Sequence, residues 1–253
     1  KFPKLLDDPI IGKEARKVHQ DAQAMLKRIL EEKWLTAKAV IGFFPAKNAG
    51  ESTILYTDDS RKTELTRLHH LRQQTERPNG MPNRSLADFI GDHDYIGAFA
   101  CTSGIGIEPY IEAFEADNDD YSAIMLKALA DRFAESFAEY LHLQVRKDYW
   151  GYASDETLDN EALIREEYRG IRPAPGYPAC PEHTEKATLW ELLEPDKRIG
   201  MTLTDSFAMN PQSSVSGWYF AHPDAHYFGV GKIGRDQVKD YAKRKGWDLK
   251  TAE

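Results

Sequence analysis

The sequence predicts an α+β fold in one continuous domain of 253 residues. Helical and strand patterns alternate irregularly along the chain, without the regular βαβ succession of a doubly wound fold. Gly104 and Gly106 follow a strand-like run, but Pro109 stands where a dinucleotide-binding fingerprint requires a third glycine. No change in composition marks a linker. These observations argue against a Rossmann fold and against a division into two domains.

Apolar residues that recur every three or four positions predict the helices. The predicted helices cover 12–32, 121–150, 159–169, 184–193 and 235–245. The helix over 121–150 has the clearest pattern, an i, i+4 ladder of Met125, Leu129, Phe133, Phe137, Leu141 and Val145. Acidic residues precede this helix and basic residues close it, which suits the helix dipole.

Short apolar or alternating runs predict the strands. They cover 39–44, 53–56, 95–101, 214–221 and 227–233. The last two are expected to form a hairpin, so Tyr227 and Phe228 would point to opposite faces of it. We expect Tyr227 to face the groove and Phe228 to pack behind it, because a hydroxyl tolerates a wet surface. Ser85 and Asp88 have the spacing of a capping box that opens a short helical turn.

Charge and cysteine content narrow the class of protein. The net charge of −8 argues against a nucleic-acid or membrane-surface binder, which would present a basic face. No apolar run has the length of a membrane span, and no signal peptide is recognisable. Cys101 is expected to be a buried apolar residue, and Cys180 lies in a proline-rich loop. Two unpaired thiols suit a reducing compartment, so we expect a cytoplasmic location.

Motifs typical of metal sites or nucleophilic catalysis are absent from the sequence. His69 and His70 are adjacent, so their rings diverge on a helix or strand and cannot chelate one ion. His93 lies between two aspartates, but no serine or cysteine partner is visible near it. The sequence therefore predicts no catalytic residue and no metal site.

The most unusual segment is 172–183, which holds four prolines in twelve residues. Such a segment is stiff, and a rigid crossover between two helices would explain it without any function. Three features favour a binding role. Arg172 offers a planar donor fork suited to a carboxylate, Gly176 permits close approach to the backbone, and Tyr177 adds an aromatic face.

This segment, Arg-Pro-Ala-Pro-Gly-Tyr-Pro-Ala-Cys-Pro-Glu-His-Thr-Glu-Lys over 172–186, closely resembles the C-terminal activation domain of cobalamin-dependent methionine synthase. Further blocks that resemble this family follow in order along nearly the whole chain: 71–74, 85–89, 94–97, 119–121, 127–132, 215–220 and 236–238. The resemblance implies a single C-shaped domain, in which helices flank a twisted antiparallel sheet.

The resemblance also implies a function. Domains of this family bind S-adenosylmethionine (AdoMet) in an extended groove and support the reductive remethylation of cob(II)alamin to methylcobalamin. Cobalamin itself is bound by another domain of the same enzyme, and a flavodoxin-type or reductase partner donates the electron. His93 does not match the Asp-x-His-x-x-Gly pattern of a cobalamin ligand, which agrees with that division. The domain alone is not expected to turn over.

The resemblance implies a set of cofactor-binding residues: Arg172, Gly176, Tyr177, Ala179, Tyr227, Phe228 and Glu135. Arg172 would grip the methionyl carboxylate, and Tyr177 would face the corrin when the domains dock. Tyr227 and Phe228 match an aromatic pair of the family, in which some relatives have a second tyrosine.

Relative to the family, the domain over 1–253 is expected to be truncated at both ends. The missing N-terminal segment would carry an aspartate that contacts the cofactor, so binding is expected to be weakened. An alternative is therefore a module that docks a corrinoid protein without binding AdoMet. A free-standing methyltransferase is a third and poorer alternative, because no acceptor site is recognisable.

Overall fold

The structure is a computed structural model that describes residues 3–253, with an antiparallel sheet at its centre. Its strands are β1 (Thr36–Asn48), β2 (Ser52–Tyr56), β3 (Glu64–His69), β4 (Asp94–Ile105) and, after the short ribbon of β5 (Thr202–Leu203) and β6 (Met209–Asn210), β7 (Ser214–Tyr219). The five-stranded sheet has the order β3-β2-β1-β4-β7, and every neighbouring pair is antiparallel. This confirms the α+β class and excludes a Rossmann topology.

The helices are α1 (Gly12–Glu32), α2 (Glu108–Ala116), α3 (Asp120–Gln144), α4 (Asn160–Ile164), α5 (Glu185–Leu193), α6 (Pro195–Ile199), α7 (Arg235–Lys245) and α8 (Leu249–Ala252). Helix α3 continues as a π-helical turn over Val145–Tyr149, so the predicted extent is right but its last turn is wider than an α-helix.

The predicted capping box is confirmed, since Ser85 and Asp88 cap the 3-10 turn Leu86–Phe89. No helix within residues 3–253 is both long enough and apolar enough to cross a membrane.

Strand β4 is buried on both faces and joins the two layers of the core. Ile96, Ala98 and Ala100 pack with α5 and the proline-rich segment on one face. Phe99 and Cys101 pack against α3 on the other face. Cys101 is fully buried, which confirms this cysteine as a core residue, and the burial raises the pKa of its thiol to about 12. The sheet therefore provides a rigid support for α3 and for the loop that faces it.

Two predicted elements are wrong. Residues 227–233 form no strand, because their backbone finds other partners: Val230 N–H donates to the Pro178 carbonyl at 2.8 Å, and the Gln73 side chain donates to the Gly229 carbonyl at 2.8 Å. The predicted helix over 159–169 ends at Ile164, and Glu166 adopts a left-handed conformation with φ of 58°. The expected hairpin is consequently absent.

Strand β3 was not predicted from the sequence. It is an edge strand with three of its six residues exposed and one buried, so it lacks the apolar alternation by which a half-buried strand is recognised. Strand β3 pairs with β2 through backbone hydrogen bonds, and these do not require particular side chains that a sequence pattern could reveal.

His70, directly after β3, gives the fold an expected dependence on pH. Burial, the nearby Arg244 and His69 lower the pKa of His70 to about 3, although Asp88 opposes this, and its Nε2 lies 2.9 Å from Thr53 Oγ1. The unfolded state therefore binds protons that the folded state excludes between about pH 6.5 and 3. We expect the free energy of unfolding to fall by about 1.4 kcal/mol per pH unit for this group as the pH drops through that window.

Denaturant unfolding at pH 7.5 and pH 5 measures this dependence in the wild type and in His70→Gln. The glutamine retains a hydrogen-bonding group for Thr53 but does not titrate, so the loss of stability at pH 5 should shrink. His93→Gln is the matched control, because His93 is exposed. An identical pH dependence in His70→Gln and the wild type would contradict the assignment.

Candidate functional site

A cleft of about 490 Å³ lies between α3, the proline-rich segment, β7 and the segment 227–229. Its lining residues are Glu135, Glu166, Arg172, Pro173, Ala174, Tyr177, Pro178, Ala179, Val215, Tyr227, Phe228 and Gly229. Most of the site residues expected from the sequence are thus brought together, although they come from three distant parts of the chain. Gly176 does not line this cleft.

The entry of the proline-rich segment is fixed to the edge of the sheet. Ile171 and Phe220 exchange two backbone hydrogen bonds of 3.0 Å, and Trp218 N–H donates to the Pro173 carbonyl at 2.9 Å. Gly217 allows this approach, because a Cβ atom at that position would lie 2.5 Å from the Pro173 oxygen. The segment is therefore a rigid crossover as well as a wall of the cleft.

The turn that follows is closed by backbone hydrogen bonds. Gly176 N–H donates to the Cys180 carbonyl at 2.8 Å, and Cys180 N–H donates to the Tyr177 carbonyl at 2.9 Å. Gly176 has a φ of 97°, and a Cβ atom there would lie 2.3 Å from the His183 ring. The structure thus places Gly176 against His183, where it shapes the turn, and its contact with a ligand stays a prediction.

Arg172 is held at both its main chain and its side chain. Its backbone N–H donates to the Tyr227 hydroxyl at 3.0 Å, and its Nη2 donates to Glu139 Oε2 at 2.7 Å. The Tyr227 hydroxyl also lies 3.3 Å from that of Tyr168. Burial raises the pKa of Tyr227, so this hydroxyl stays neutral and available as an acceptor. The guanidinium consequently has a defined position in the wall of the cleft.

Tyr227 and Phe228 both line the cleft, contrary to the expectation that one of them would point away. That expectation assumed strand alternation, and the segment is not a strand. Phe228 also packs edge-on against Phe89, with 6.2 Å between ring centroids, and it is half-buried rather than fully buried. Its loss would therefore affect both the cleft and the core.

Tyr177 is the most exposed aromatic residue of the cleft, with 55% of its surface accessible. Burial of part of its ring and the nearby Glu135 raise the pKa of its hydroxyl, so Tyr177 is neutral at ordinary pH. Glu135 lies on α3 and also borders a shallower cavity of about 200 Å³, whose lining includes Arg132 and Gln212. The two cavities therefore adjoin at Glu135 and Val215.

Two acidic residues of the site were not predicted from the sequence. Glu139 lies one helical turn beyond Glu135, so the i, i+4 spacing on α3 could have indicated it. Glu166 reaches the cleft from a left-handed residue after α4, and no sequence pattern signals that conformation. The guanidinium of Arg172 thus lies among several carboxylates, and this arrangement suits a ligand that carries a positive and a negative charge.

The Tyr227 hydroxyl is expected to stabilise the site before any ligand binds. In Tyr227→Phe, the backbone N–H of Arg172 loses its acceptor, which should lower the free energy of unfolding by about 1–3 kcal/mol. Denaturant unfolding measures this loss. The matched control is Tyr149→Phe, since Tyr149 is 58% exposed. Equal stability of the two variants would show that the hydroxyl of Tyr227 has no such role.

The cleft has the groups for binding a charged, partly aromatic small molecule. Within residues 3–253, no group of three or more His, Cys, Asp and Glu side chains is arranged to hold a metal ion. Cys180 is buried, and burial raises the pKa of its thiol, so it is poorly suited to act as a nucleophile. The arrangement therefore favours binding and orientation of a ligand.

Comparison with known proteins gives a consistent result over the whole chain. The family model described as the activation domain of vitamin B12-dependent methionine synthase matches residues 1–246. A crystal structure of the MetH reactivation domain bound to AdoHcy is 56% identical in sequence, with a TM-score of 0.94. That match covers 100% of this chain and 79% of the solved chain. The chain therefore belongs to the family of activation domains of vitamin B12-dependent methionine synthase, an enzyme that transfers methyl groups.

Proposed function

We propose that this chain binds AdoMet in the cleft around Arg172 and presents it for the reductive remethylation of cobalamin. The observation that carries the proposal is the position of Arg172: a guanidinium fixed in the wall of a cleft that also holds carboxylates and aromatic rings. The solved relative, which is 56% identical, has AdoHcy bound. AdoHcy is AdoMet without the transferred methyl group.

The chemical groups of AdoMet suit the lining of the cleft. Arg172 can bind the methionyl carboxylate through charge-assisted hydrogen bonds. The aromatic rings of Tyr227 and Phe228 offer faces to the sulfonium and to the adenosine. A cleft of about 490 Å³ is within the range of small-molecule sites. Ala179 and Gly229 leave room at the wall, because their side chains are small or absent.

The chain's own contribution to methyl transfer is to hold and orient the donor. The sulfonium of AdoMet carries its own leaving group, so this chain needs no general base. A cobalamin domain of the same enzyme would supply the nucleophilic metal. We expect Tyr177, an exposed residue of the cleft lining, to contact such a partner. A flavodoxin-type or reductase protein would supply the electron.

Calorimetric titration of the chain with AdoMet and with AdoHcy tests the binding proposal directly. We expect both ligands to bind at one site, and we expect the chain alone to transfer no methyl group to homocysteine. Methylation of cob(II)alamin should require both an added cobalamin-loaded domain and an electron donor. If neither ligand binds while the cobalamin domain still does, the chain is instead a docking module. Turnover by the chain alone would contradict the proposed division of labour.

A further inference from the structure

Tyr168 contacts two cleft residues from outside the cleft. Its hydroxyl oxygen lies 3.3 Å from that of Tyr227, which accepts the backbone N–H of Arg172 at 3.0 Å. Tyr227 and Arg172 line the cleft, whereas Tyr168 is buried and is not part of the lining. A ligand in the cleft therefore meets Tyr227 and Arg172 directly, and Tyr168 can affect the ligand only through these neighbours.

The bond from Arg172 limits what the Tyr227 hydroxyl can do. A hydroxyl has one proton to donate and two lone pairs with which to accept. One lone pair of Tyr227 accepts from Arg172, which leaves the proton free to be donated to the oxygen of Tyr168. Donation of this proton makes the Tyr227 oxygen a stronger acceptor, because consecutive hydrogen bonds polarise one another. The distance of 3.3 Å is long for two hydroxyls, and bonds at ligand-free sites often tighten when a ligand binds.

A buried ion pair holds the ring of Tyr168. The guanidinium of Arg146 lies over this ring, with 4.3 Å from Cζ to the ring centroid, and the His142 ring packs edge-on against it at 5.0 Å. Both carboxylate oxygens of Glu156 accept from Arg146, at 2.7 and 2.8 Å, and the two side chains are 6% and 0% exposed, respectively. Separating this pair would leave buried charges without partners, so the guanidinium that supports the ring has little freedom.

The π-helical turn at the end of α3 gives the ion pair its place. Arg146 belongs to this turn, Val145–Tyr149, and such turns are rare and frequent at functional sites. Lys147 Nζ donates to the Glu156 carbonyl at 2.8 Å, and the Ala153 N–H donates to the Arg146 carbonyl at 2.9 Å. The loop that carries Glu156 is therefore fixed to the same turn.

We propose that Tyr168 is a positioning residue for AdoMet binding: supported by Arg146, it orients the Tyr227 hydroxyl and, through it, the main chain at Arg172. This inference rests on the proposed function and adds to it a residue that the ligand does not touch. Loss of the Tyr168 hydroxyl should weaken binding although every side chain that lines the cleft is kept.

Titration of Tyr168→Phe with AdoHcy tests this role. Phenylalanine keeps the ring beside Arg146 and His142 and removes only the hydroxyl, so the fold should survive. We expect the affinity for AdoHcy to fall by about 3- to 10-fold, as the loss of one neutral hydrogen bond implies. Tyr219→Phe is the matched control, since Tyr219 is fully buried and stacks on His142, but its hydroxyl has no hydrogen-bond partner in the described part of the chain. This control should bind AdoHcy as the wild type does.

A double-variant cycle with Tyr227→Phe separates positioning from a general loss of packing. If Tyr168 acts through the Tyr227 hydroxyl, the double variant should bind AdoHcy within about 2-fold of Tyr227→Phe alone. A packing defect at Tyr168 would instead multiply the effect of Tyr227→Phe, as independent sites do.

The amide proton of Arg172 reports the same coupling without a ligand. In proton–nitrogen correlation spectra, its signal should move upfield in Tyr168→Phe, because the Tyr227 oxygen becomes a weaker acceptor. The signal should stay in place in Tyr219→Phe, in which the hydrogen bond to Arg172 is kept.

Three results would each overturn the inference: wild-type affinity for AdoHcy in Tyr168→Phe, effects of Tyr168→Phe and Tyr227→Phe that multiply, or an unchanged Arg172 amide signal in Tyr168→Phe. If the wild type binds AdoHcy, these results leave the proposed function intact. Failure of the wild type to bind AdoHcy would overturn the proposed function together with this inference.

Discussion

Replacing Arg172 by alanine is expected to weaken AdoMet binding by about 2–4 kcal/mol, a loss of about 30- to 1000-fold in affinity. The variant removes the only cationic side chain that lines the cleft within residues 3–253, and it leaves Glu139 without its ion-pair partner. An uncompensated carboxylate would also repel the carboxylate of the ligand. Calorimetric titration of the variant with AdoMet measures the loss.

The control for this variant is Arg198→Ala. Arg198 is an exposed residue of α6, so its replacement removes the same charge away from the cleft. We expect the fold to survive in both variants, because the main-chain hydrogen bond from residue 172 to Tyr227 does not depend on the side chain. Wild-type affinity in Arg172→Ala would remove this residue from the binding site.

Replacing Gly217 by alanine is expected to damage both stability and binding. The added methyl group would lie 2.5 Å from the Pro173 oxygen and 3.2 Å from the Ala174 Cα atom, and neither backbone atom can move without displacing the proline-rich segment. Overpacking of this kind costs about 1–3 kcal/mol, which lowers the melting temperature by about 2–4 °C for each kcal/mol in a domain of this size. Because Arg172 precedes Pro173, AdoMet binding should weaken as well.

Thermal melting and calorimetric titration of the same sample measure the two effects. Gly91→Ala is the matched control, since a Cβ atom at Gly91 would lie no closer than 3.6 Å to any neighbour. Normal melting together with normal AdoMet affinity in Gly217→Ala would show that the segment is not held against β7 as described.

The elements that sequence patterns predicted well are those whose signal is local. The i, i+4 apolar ladder of α3 and the capping box at Ser85 each depend on residues within one or a few turns of the chain. The edge strand β3 and the irregular segment 227–233 depend instead on what lies beside them. A Tyr-Phe-Gly-Val run looks the same in the sequence whether its neighbour is a strand or a proline-rich loop.

The residues of the candidate site likewise differ in whether a local sequence signal identifies them. Arg172, Tyr177 and the aromatic pair at 227–228 could be proposed from the chemistry of the residues and the resemblance of the surrounding motif. Glu166 could not be proposed in this way, because it reaches the cleft through a left-handed backbone conformation that no local sequence pattern predicts. Glu139 had the spacing to be proposed, but an acidic residue on a helix is usually a solvated one.

The sequence by itself determined the fold class, the family resemblance and the binding motif, because each is carried by residue types in a fixed linear order. Only the tertiary structure decided which atoms of that motif are already engaged. Arg172 donates to Glu139 and to Tyr227, residues 33 and 55 positions away along the chain. Which hydrogen bonds are satisfied depends on distances between such remote segments, and these distances exist only once the sheet, α3 and the loop have packed together.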